Sequence, residues 1–413
     1  MCTTNSHLRI ALLTNSFLPH AGGSRFYYFN LFKRIASCGD HVTILTSKVP
    51  GWQEFDAHEQ SAGFKIKRHF KPILNFSYLQ LPKLAGPMLV AWSECLFRRP
   101  DILHCGDLYP EGLVGVMLKK MLGVPFVAYC HGEDLTMTDE RRFQPKVRDA
   151  IYRSANAVIA NGDFAFDGLL RIGIEREKIY KITPGLDTSV FFPEQSGAML
   201  RERYGIEAKD VVVMTVARLV PRKGHARIIR ALAELRTEIR EFKYVIVGRG
   251  PIEAELRALA SQLNMLDKVI FAGFIPEGEL NRHYNMADIM AMPNTEIAGD
   301  LEGFGMVFLE ANAAGKPVIG GRSGGTSSAV ADGESGFLVD GDTDEELRDA
   351  LRKLLTDRSL RERMGATGLR RAREEFDWDS RAVTLRRISY DIVAASRRGR
   401  GRTPHEPSGN MSR

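Results

Sequence analysis

Short apolar runs alternate with amphipathic segments along most of the chain. The runs have the length and β-branched content of buried strands. They predict strands at residues 8–14, 41–47, 64–69, 101–105, 125–129, 157–160, 178–183, 211–216, 244–247, 269–272, 288–292, 318–319 and 336–339. Helical spacing predicts helices at residues 25–37, 84–97 and 111–122, and others that begin near residues 163, 225, 306, 344, 359 and 378. This alternation is typical of parallel sheets covered by helices on both faces, so we predict an α/β fold.

A break in the pattern near residues 184–193 divides the chain into two parts. The segment contains Pro184, Gly185 and Pro193 and is the best candidate for a linker. A chain of 413 residues is long enough for two domains that each bury a core. We therefore predict an N-terminal domain at residues 1–186 and a C-terminal domain at residues 187–376. A helix at 377–395 is expected to pack back on the N-terminal domain, followed by a disordered basic tail at 396–413.

Composition excludes several classes of protein. An apolar fraction of 44% and a charged fraction of 26% are ordinary for a globular protein, and no apolar run is long enough for a membrane span. The first residues lack the apolar core of a signal peptide. The five cysteines form no CxxC pair, which indicates neither a disulfide framework nor a zinc site and favours the cytoplasm. The aromatic residues do not interleave with basic clusters, so no nucleic-acid partner is expected.

Charge is unevenly distributed between the two parts. Residues 1–190 contain 23 Lys and Arg against 18 Asp and Glu, within a net charge of +6 for the chain. Residues 63–88 mix basic and apolar side chains, which is compatible with peripheral contact on the inner face of a membrane. A strand with a covering loop explains the same segment more simply. The membrane contact stays open as the alternative.

The richest chemistry lies in residues 300–320, which are predicted to form a loop, a helix and a strand. Gly303 and Gly305 flank Phe304 where the loop becomes the helix, and a glycine-rich turn before a helix suits a phosphate. Glu302 precedes this turn, and Glu310 lies in the helix among apolar residues. A carboxylate on an apolar face needs a partner, such as a sugar hydroxyl or an arginine. Read singly, Glu302 is a solvated loop residue and Glu310 a member of a structural ion pair.

Four other predicted loops carry candidate ligand-binding residues at strand ends. Gly22 and Gly23 follow the first strand, and His131 follows the strand at 125–129. Arg218 and Lys223 follow the strand at 211–216, where both could neutralise a diphosphate. The turn at 273–275 follows another strand. In parallel sheets, ligands bind at the carboxyl ends of strands, although an isolated histidine, glycine pair or basic loop is more often structural.

Together these motifs resemble glycosyltransferase family 4. The features that carry the resemblance are two glutamates separated by seven residues around Gly-Phe-Gly, two basic residues separated by four, a glycine pair after the first strand and His-Gly at a strand end. The resemblance implies the GT-B fold, in which two Rossmann-like domains face each other across a cleft. It also implies retaining transfer of a hexose from a nucleoside diphosphate sugar, without a metal or another cofactor.

The resemblance also implies roles for individual residues. The residues implied to be catalytic are Glu302, His131, Arg218 and Lys223. The residues implied to bind the donor are Gly22, Gly23, Arg218, Lys223, Gly273, Phe274, Ile275, Glu302, Gly303, Phe304, Gly305 and Glu310. In these roles, Glu302 holds sugar hydroxyls, Glu310 holds the ribose, and the turn at 273–275 holds the base largely through its backbone.

The substrates are less closely defined than the reaction. Residues 219–224 and 299–303 look similar to mannosyltransferases that act on phosphatidylinositol, which suggests mannose and a lipid-linked acceptor; a glycan acceptor fits almost as well. A nucleotide-sugar 2-epimerase and a catalytically silent nucleotide-sugar-binding module are the alternatives. A dehydrogenase is disfavoured, because the Gly-x-Gly at 248–250 lacks the third glycine and the acidic residue of a dinucleotide site.

Overall fold

The computed structural model describes residues 7–15, 17–19, 22–70, 85–136, 145–194, 197–341 and 343–400. The chain forms two compact units. Unit 1 comprises Met1–Tyr129, Pro145–Val158 and Ala382–Arg413. Unit 2 comprises Cys130–Gln144 and Ile159–Arg381. No described helix has the length and apolar character needed to cross a membrane.

The first sheet has seven strands within the described residues. They are β1 (Arg9–Leu13), β2 (His41–Ser47), β3 (Phe64–Phe70), β4 (Ile102–Cys105), β5 (Phe126–Cys130), β6 (Ala157–Ala160) and β7 (Ile179–Lys181), in the spatial order β3-β2-β1-β4-β5-β6-β7. The pairs of β1 with β2 and β4, and of β4 with β5, are parallel. The associated helices are α1 (Gly23–Ser37), α2 (Trp52–Glu59), α3 (Ala85–Phe97), α4 (Leu113–Leu122), α5 (Glu133–Thr136), α6 (Pro145–Ser154) and α7 (Asp163–Arg171).

The second sheet has six parallel strands within the described residues, all in unit 2. They are β8 (Val211–Val216), β9 (Phe242–Val247), β10 (Val269–Gly273), β11 (Ile289–Met292), β12 (Val318–Gly321) and β13 (Gly336–Val339), in the order β10-β9-β8-β11-β12-β13. Its helices are α8 (Gly197–Arg203), α9 (His225–Leu235), α10 (Glu253–Gln262), α11 (Glu277–Met286), α12 (Met306–Ala313), α13 (Thr326–Ala329), α14 (Glu345–Thr356), α15 (Arg358–Glu375) and α16 (Trp378–Arg400), the last of which continues into unit 1. Apolar clusters cover both faces of this sheet, as a parallel sheet requires.

The predicted strands agree with the structure to within a few residues, and β2, β8 and β13 have the predicted bounds. Several helices escaped the sequence analysis. In α11 the buried side chains include Asn281, His283 and Tyr284, so that polar residues occupy the inward face and hide the helical period. The stretch at 63–88 begins as β3 and ends in α3, whereas residues 71–84 lie outside the described residues.

The C-terminal helix differs from its predicted extent. Helix α16 reaches Arg400, so residues 396–400 are helical rather than part of a disordered tail. Arg397 Nη2 donates to Asp101 Oδ1 at 2.7 Å, which holds this last turn. Earlier in the helix, Arg386 and Tyr390 both donate to the buried Asp40 carboxylate within unit 1. Residues 401–413 of the predicted tail lie outside the described residues.

The two units are assigned differently from the predicted domain boundary at 186/187. Residues 159–186 belong to unit 2, where the Leu186 N–H donates to the Phe376 carbonyl at 2.7 Å. Three cysteines, Cys95, Cys105 and Cys130, are buried free thiols.

Candidate functional site

The turn before α12 is shaped by two glycines and one buried aromatic side chain. Gly305 has φ 87°, a left-handed conformation that favours glycine, and helix α12 begins at the next residue. A Cβ on Gly303 would lie 2.9 Å from the His131 carbonyl oxygen, so this position also requires glycine. The Phe304 side chain is buried and packs edge-on against Phe376, with ring centroids 6.1 Å apart. Any contact of Phe304 with a ligand therefore comes from its backbone.

Glu302 is the centre of an ion-pair cluster within unit 2. Its Oε2 accepts from Lys223 Nζ and, at 3.2 Å, from Arg222 Nη1. Arg222 Nε also lies 2.9 Å from Asp300 Oδ1. Burial by itself would raise the pKa of Glu302, but the charges and hydrogen bonds of Lys223 and Arg222 outweigh it and lower the pKa. Glu302 is therefore an ionised carboxylate held by two cations.

The loop after β8 separates its two predicted basic residues. Pro221–Lys223 forms a 3-10 turn, and Gly224, with φ 77°, ends it directly before α9. This turn directs Lys223 toward Glu302. Arg218 is exposed and has no side-chain partner among the described residues. Arg222, the residue directly before Lys223, belongs to the cluster instead.

Glu310 has a different partner from the two that the sequence suggested. Tyr284 Oη donates to Glu310 Oε2 at 2.7 Å. Burial raises the pKa of Glu310 to about 7, and the negative charge of Glu277 adds to this, whereas the Tyr284 hydrogen bond opposes it. A half-buried carboxyl that titrates near neutral pH, with one oxygen engaged by a tyrosine, retains capacity to bind a hydroxyl.

The backbone of His131 lies beside the glycine-rich turn. Asn161 Nδ2 lies 3.3 Å from both the His131 carbonyl and the Gly303 carbonyl and donates to each. The His131 N–H donates to Asp134 Oδ2 at 3.3 Å, which shapes the start of α5. The sequence analysis missed Asn161 as a site residue, although it follows strand β6 in the same way that His131 follows β5.

A second glycine pair supports the Glu302 turn from the other side. The Gly325 N–H donates to the Glu302 carbonyl at 2.8 Å. A Cβ on Gly324, whose φ is 59°, would collide with the Glu302 carbonyl oxygen, and one on Gly325 would collide with that of Gly303. The sequence signal for this support is the glycine pair Gly324 and Gly325 at the turn from β12 into α13.

The turn at residues 273–275 combines a left-handed glycine with an exposed aromatic side chain. Gly273 has φ 71° and its carbonyl accepts from the Gly248 N–H at 2.8 Å. Phe274 is 64% exposed, which is unusual for a phenylalanine at a strand end. Ile275 is half-buried against the core of unit 2. The Phe274 side chain of this turn is thus accessible.

Unit 1 holds its own polar cluster at the carboxyl ends of β1 and β4. Gly22 and Gly23 open α1 there, near Arg25. Burial raises the pKa of Asp107, and the charge of Arg25 partly opposes this. Glu111 is fully buried, and burial together with the charge of Asp107 raises its pKa well above the ordinary value. The sequence analysis missed both acids.

The predicted residues thus fall into three groups. Glu302, Lys223, Gly303 and His131 come together within unit 2. The Arg218 side chain forms no hydrogen bond or ion pair with any described residue, and Glu310 is held by Tyr284. Gly22 and Gly23 belong to unit 1. Among the described residues no cluster of three or more His, Cys, Asp or Glu side chains could hold a metal ion, and metal independence remains a prediction.

Comparison with known proteins agrees with these motifs. Residues 21–190 match the family described as Glycosyltransferase Family 4, and residues 198–371 match Glycosyl transferases group 1. A GDP-mannose-dependent alpha-(1-6)-phosphatidylinositol monomannoside mannosyltransferase from Mycolicibacterium smegmatis is 33% identical, with 91% of this chain and 96% of the relative covered. A D-inositol 3-phosphate glycosyltransferase from Acidothermus cellulolyticus is 30% identical, with 91% and 87% covered.

A solved structure extends the agreement to the fold. Anabaena HepE in complex with UDP superposes with a TM-score of 0.76 at 21% identity, covering 94% of this chain and all of that one. The curated relatives are named as transferases, which disfavours an epimerase or a catalytically silent binding module. The chain therefore belongs to glycosyltransferase family 4, and it is a glycosyltransferase with the α/β GT-B fold.

Proposed function

We propose that this enzyme transfers mannose from GDP-mannose to a lipid-linked acceptor of the phosphatidylinositol mannoside type, with retention at the anomeric carbon. The single observation that carries the proposal is the cluster of Lys223 and Arg222 on Glu302 at the glycine-rich turn before α12. The named activities of the mannosyltransferase relatives supply the donor and the acceptor class. A glycan acceptor remains the alternative.

In the proposed mechanism the donor diphosphate competes with Glu302 for its two cations. Lys223 and Arg222 then stabilise the negative charge that develops on the leaving diphosphate, and Arg218 adds a third cation. Glu302, released from part of its ion pairing, accepts hydrogen bonds from sugar hydroxyls. Exposed Arg218 needs no rearrangement to bind an anion, because no described side chain engages it.

The reaction exchanges one bond at the anomeric carbon for another on the same face. The bond between this carbon and the phosphate oxygen breaks, and a bond to the acceptor hydroxyl oxygen forms. The hydroxyl proton passes to the departing phosphate oxygen, so the enzyme needs no separate base. A carboxylate nucleophile, as used by retaining glycosidases, is not assigned, because Glu302 is held by two cations and Glu310 by Tyr284.

We assign nucleoside recognition to Glu310 in the second half of helix α12 and to the turn after β10. Glu310 accepts a hydrogen bond from a ribose hydroxyl while the Tyr284 hydroxyl donates to its Oε2 atom. The base lies on the turn of Gly273, Phe274 and Ile275. The sugar lies toward His131. The reaction proceeds without a metal, the positive groups named above taking its place.

The enzyme is also proposed to act in the cytoplasm, in peripheral contact with the inner face of the membrane, as part of cell-envelope glycolipid synthesis. The support is the excess of basic residues in residues 1–190 and the lipid acceptor of the mannosyltransferase relatives. Neither the basic charge nor the lipid acceptor of the relatives bears on which donor is used. A donor test therefore leaves this part of the proposal untouched.

Thermal-shift measurements with GDP, UDP and ADP and their hexose conjugates, in EDTA and in Mg²⁺, test the donor. A ligand that binds only the folded state raises the melting temperature, and the shift grows with the ratio of ligand concentration to Kd. We expect the largest shift with GDP-mannose and the same shift in EDTA. A larger shift with a UDP-sugar would overturn the choice of mannose. Transfer of radiolabelled mannose to phosphatidylinositol mannoside, with a soluble mannoside as the competing acceptor, then decides between lipid and glycan.

A further inference from the structure

Helix α3 in unit 1 buries its single charged residue and exposes large apolar side chains. Its charged residue, Glu94, is buried and pairs with Lys67, while Leu89 is 68% exposed and Phe97 86% exposed. A helix on the surface of a water-soluble unit normally turns its apolar stripe inward. The remaining exposed residues of α3 are Ala85, Ser93 and Leu96, so its outer face carries no charge. This face is suited to a non-aqueous neighbour.

Helix α4 packs beside α3 in unit 1 and also exposes apolar side chains. The two helices are in contact, and α4 exposes Met117 and Met121. Both helices are fully described, and neither carries an exposed carboxylate. We define the α3/α4 face by its exposed apolar side chains, which are Leu89, Leu96, Phe97, Met117 and Met121. Large exposed apolar side chains on two neighbouring helices are the feature that marks interaction surfaces.

The charges at the border of the α3/α4 face are basic. Lys120 on α4 and Arg99 directly after α3 are exposed, and Arg99 has no side-chain partner within the described residues. Arg98 is exposed as well, 3.7 Å from Glu94. Helix α6, which packs on α4, carries exposed Lys146 and also exposed Arg153, whose Nη2 lies 3.9 Å from Asp149 Oδ2. An apolar face bordered by cations complements an anionic lipid surface rather than another basic protein.

A cavity opens at the same border, at the amino ends of β1, β4 and β5. It has a volume of about 410 Å³ and is lined by apolar Leu96, Leu122 and Val393 beside Arg9, Arg99 and Arg397. Asp101 also lines it and pairs with Arg9 and Arg397. The lining therefore holds three arginines against one carboxylate, a balance that suits a phosphate headgroup with an adjoining hydrocarbon chain.

We propose that the α3/α4 face docks unit 1 onto an anionic phospholipid bilayer, with Phe97 and Leu96 inserted among the acyl chains and Arg99 and Lys120 on the headgroup phosphates. This inference rests on the membrane contact proposed above and gives it a definite surface. It involves no residue of the donor-binding cluster, and the amino ends of the strands lie at the opposite edge of the sheet from Gly22 and Asp107. Docking and donor binding are therefore separable.

Vesicle co-sedimentation of the full chain tests the proposal. We would compare phosphatidylcholine vesicles with vesicles containing one third phosphatidylglycerol, using wild type, Leu96→Ser/Phe97→Ser and Arg99→Glu/Lys120→Glu. The matched controls are Met199→Ser and Lys209→Glu, which alter exposed side chains of unit 2. Each protein is first checked for an unchanged GDP thermal shift. An unchanged shift shows that donor binding is intact.

We expect binding to the anionic vesicles only, weakened about tenfold or more by either double substitution and not by the controls. The charge-reversal variant should also lose the dependence of binding on salt. Equal vesicle binding by wild type and Leu96→Ser/Phe97→Ser would overturn the proposal, as would an absence of binding in wild type. Concentration-dependent dimerisation that the apolar variant abolishes, without vesicle binding, would assign the face to a second copy instead. A lost GDP shift in wild type would overturn the donor proposal and leave the docking result standing.

Discussion

Lys223 and Glu302 form an ion pair in which the two side chains are only 13% and 14% exposed, at the turn where helix α12 begins. Lys223 comes from the loop after β8 and Glu302 from the loop after β11, two neighbouring strands of the second sheet. In the absence of donor each residue neutralises the other. The sequence implied separate roles for them, and the pairing suggests that one ligand displaces both.

Replacing Lys223 should affect stability and donor binding together, whereas replacing Arg218 should affect donor binding alone. Lys223→Ala leaves Glu302 with Arg222 as its remaining partner and should lower the free energy of unfolding by about 1–3 kcal/mol. Arg218→Ala removes an exposed side chain and should change it by less than about 0.5 kcal/mol. Chemical denaturation and GDP titration of both variants measure the two effects.

The matched control for Lys223→Ala is Lys209→Ala, since Lys209 lies in the same unit and pairs with Glu207 at the surface. Neither stability nor GDP affinity should change in that variant. If Lys223→Ala binds GDP as wild type does, its assignment to the diphosphate is wrong.

Glu302→Gln should reduce turnover by about a hundredfold or more while GDP binds at least as tightly as to wild type. The substitution removes a carboxylate that competes with the diphosphate for Lys223 and Arg222, so those cations become available. Steady-state rates measure the turnover, and GDP titration measures the affinity for the nucleotide. Glu296→Gln, an exposed position of the same unit, serves as control. An unchanged rate would remove Glu302 from the mechanism.

The Glu302 ion pair should also make stability depend on pH. The pKa of Glu302 is lowered in the folded protein, so its contribution is present above the pKa of an unfolded glutamate and is lost as pH falls through the lowered value. The difference in melting temperature between wild type and Glu302→Gln should therefore be largest at neutral pH and shrink in acid. A constant difference across this range would contradict the ion-pair interpretation.

Glu310 should show the opposite dependence. Its pKa is raised to about 7, so the folded protein takes up a proton that the unfolded chain does not between about pH 5 and 7. The free energy of unfolding consequently falls as pH rises through that window. Glu310→Gln should stabilise the ligand-free enzyme by about 1–2 kcal/mol at pH 8 and little at pH 5.

The melting temperature at pH 5 and pH 8 checks this, with Glu255→Gln on the exposed face of α10 as the control. The same substitution should weaken nucleotide binding at pH 8, because the ribose loses a charged acceptor. Equal stabilisation at both pH values would show that Glu310 does not titrate near neutrality.

Gly324→Ala should disturb the Glu302 turn without touching a charged group. The new Cβ would collide with the Glu302 carbonyl oxygen at a position whose φ is 59°. We expect a loss of about 2–4 kcal/mol in stability and a parallel loss of turnover. Gly333→Ala is the control, because Gly333 has φ 76° but open space around it, so that only backbone strain is added. Similar losses in both variants would mean that the collision is unimportant.

Much of the site could be read from the sequence because the motifs fall at strand ends. A parallel sheet brings the carboxyl ends of its strands to one edge, so Lys223 and Glu302 were expected near the same ligand. Their direct pairing was not foreseeable, since it depends on where the Pro221–Lys223 turn directs the lysine. The sequence analysis missed Asn161, Tyr284 and Gly324. Each of them acts through another residue, and a single polar or small residue gives no periodic signal.

The sequence by itself determined the α/β class, nearly every strand, and the family, since these depend on local hydrophobic patterns and on motifs of fixed spacing. Tertiary structure decided the charge states and the partners. Glu310 titrates near pH 7 and Glu302 does not, although both stand in the same motif. Burial disfavours the charged form of each carboxylate, but only Glu302 has the cations Lys223 and Arg222 beside it, and they lower its pKa. Tertiary structure also decided the orientation of α3, because only the packed unit shows that Glu94 faces Lys67 while Phe97 faces outward.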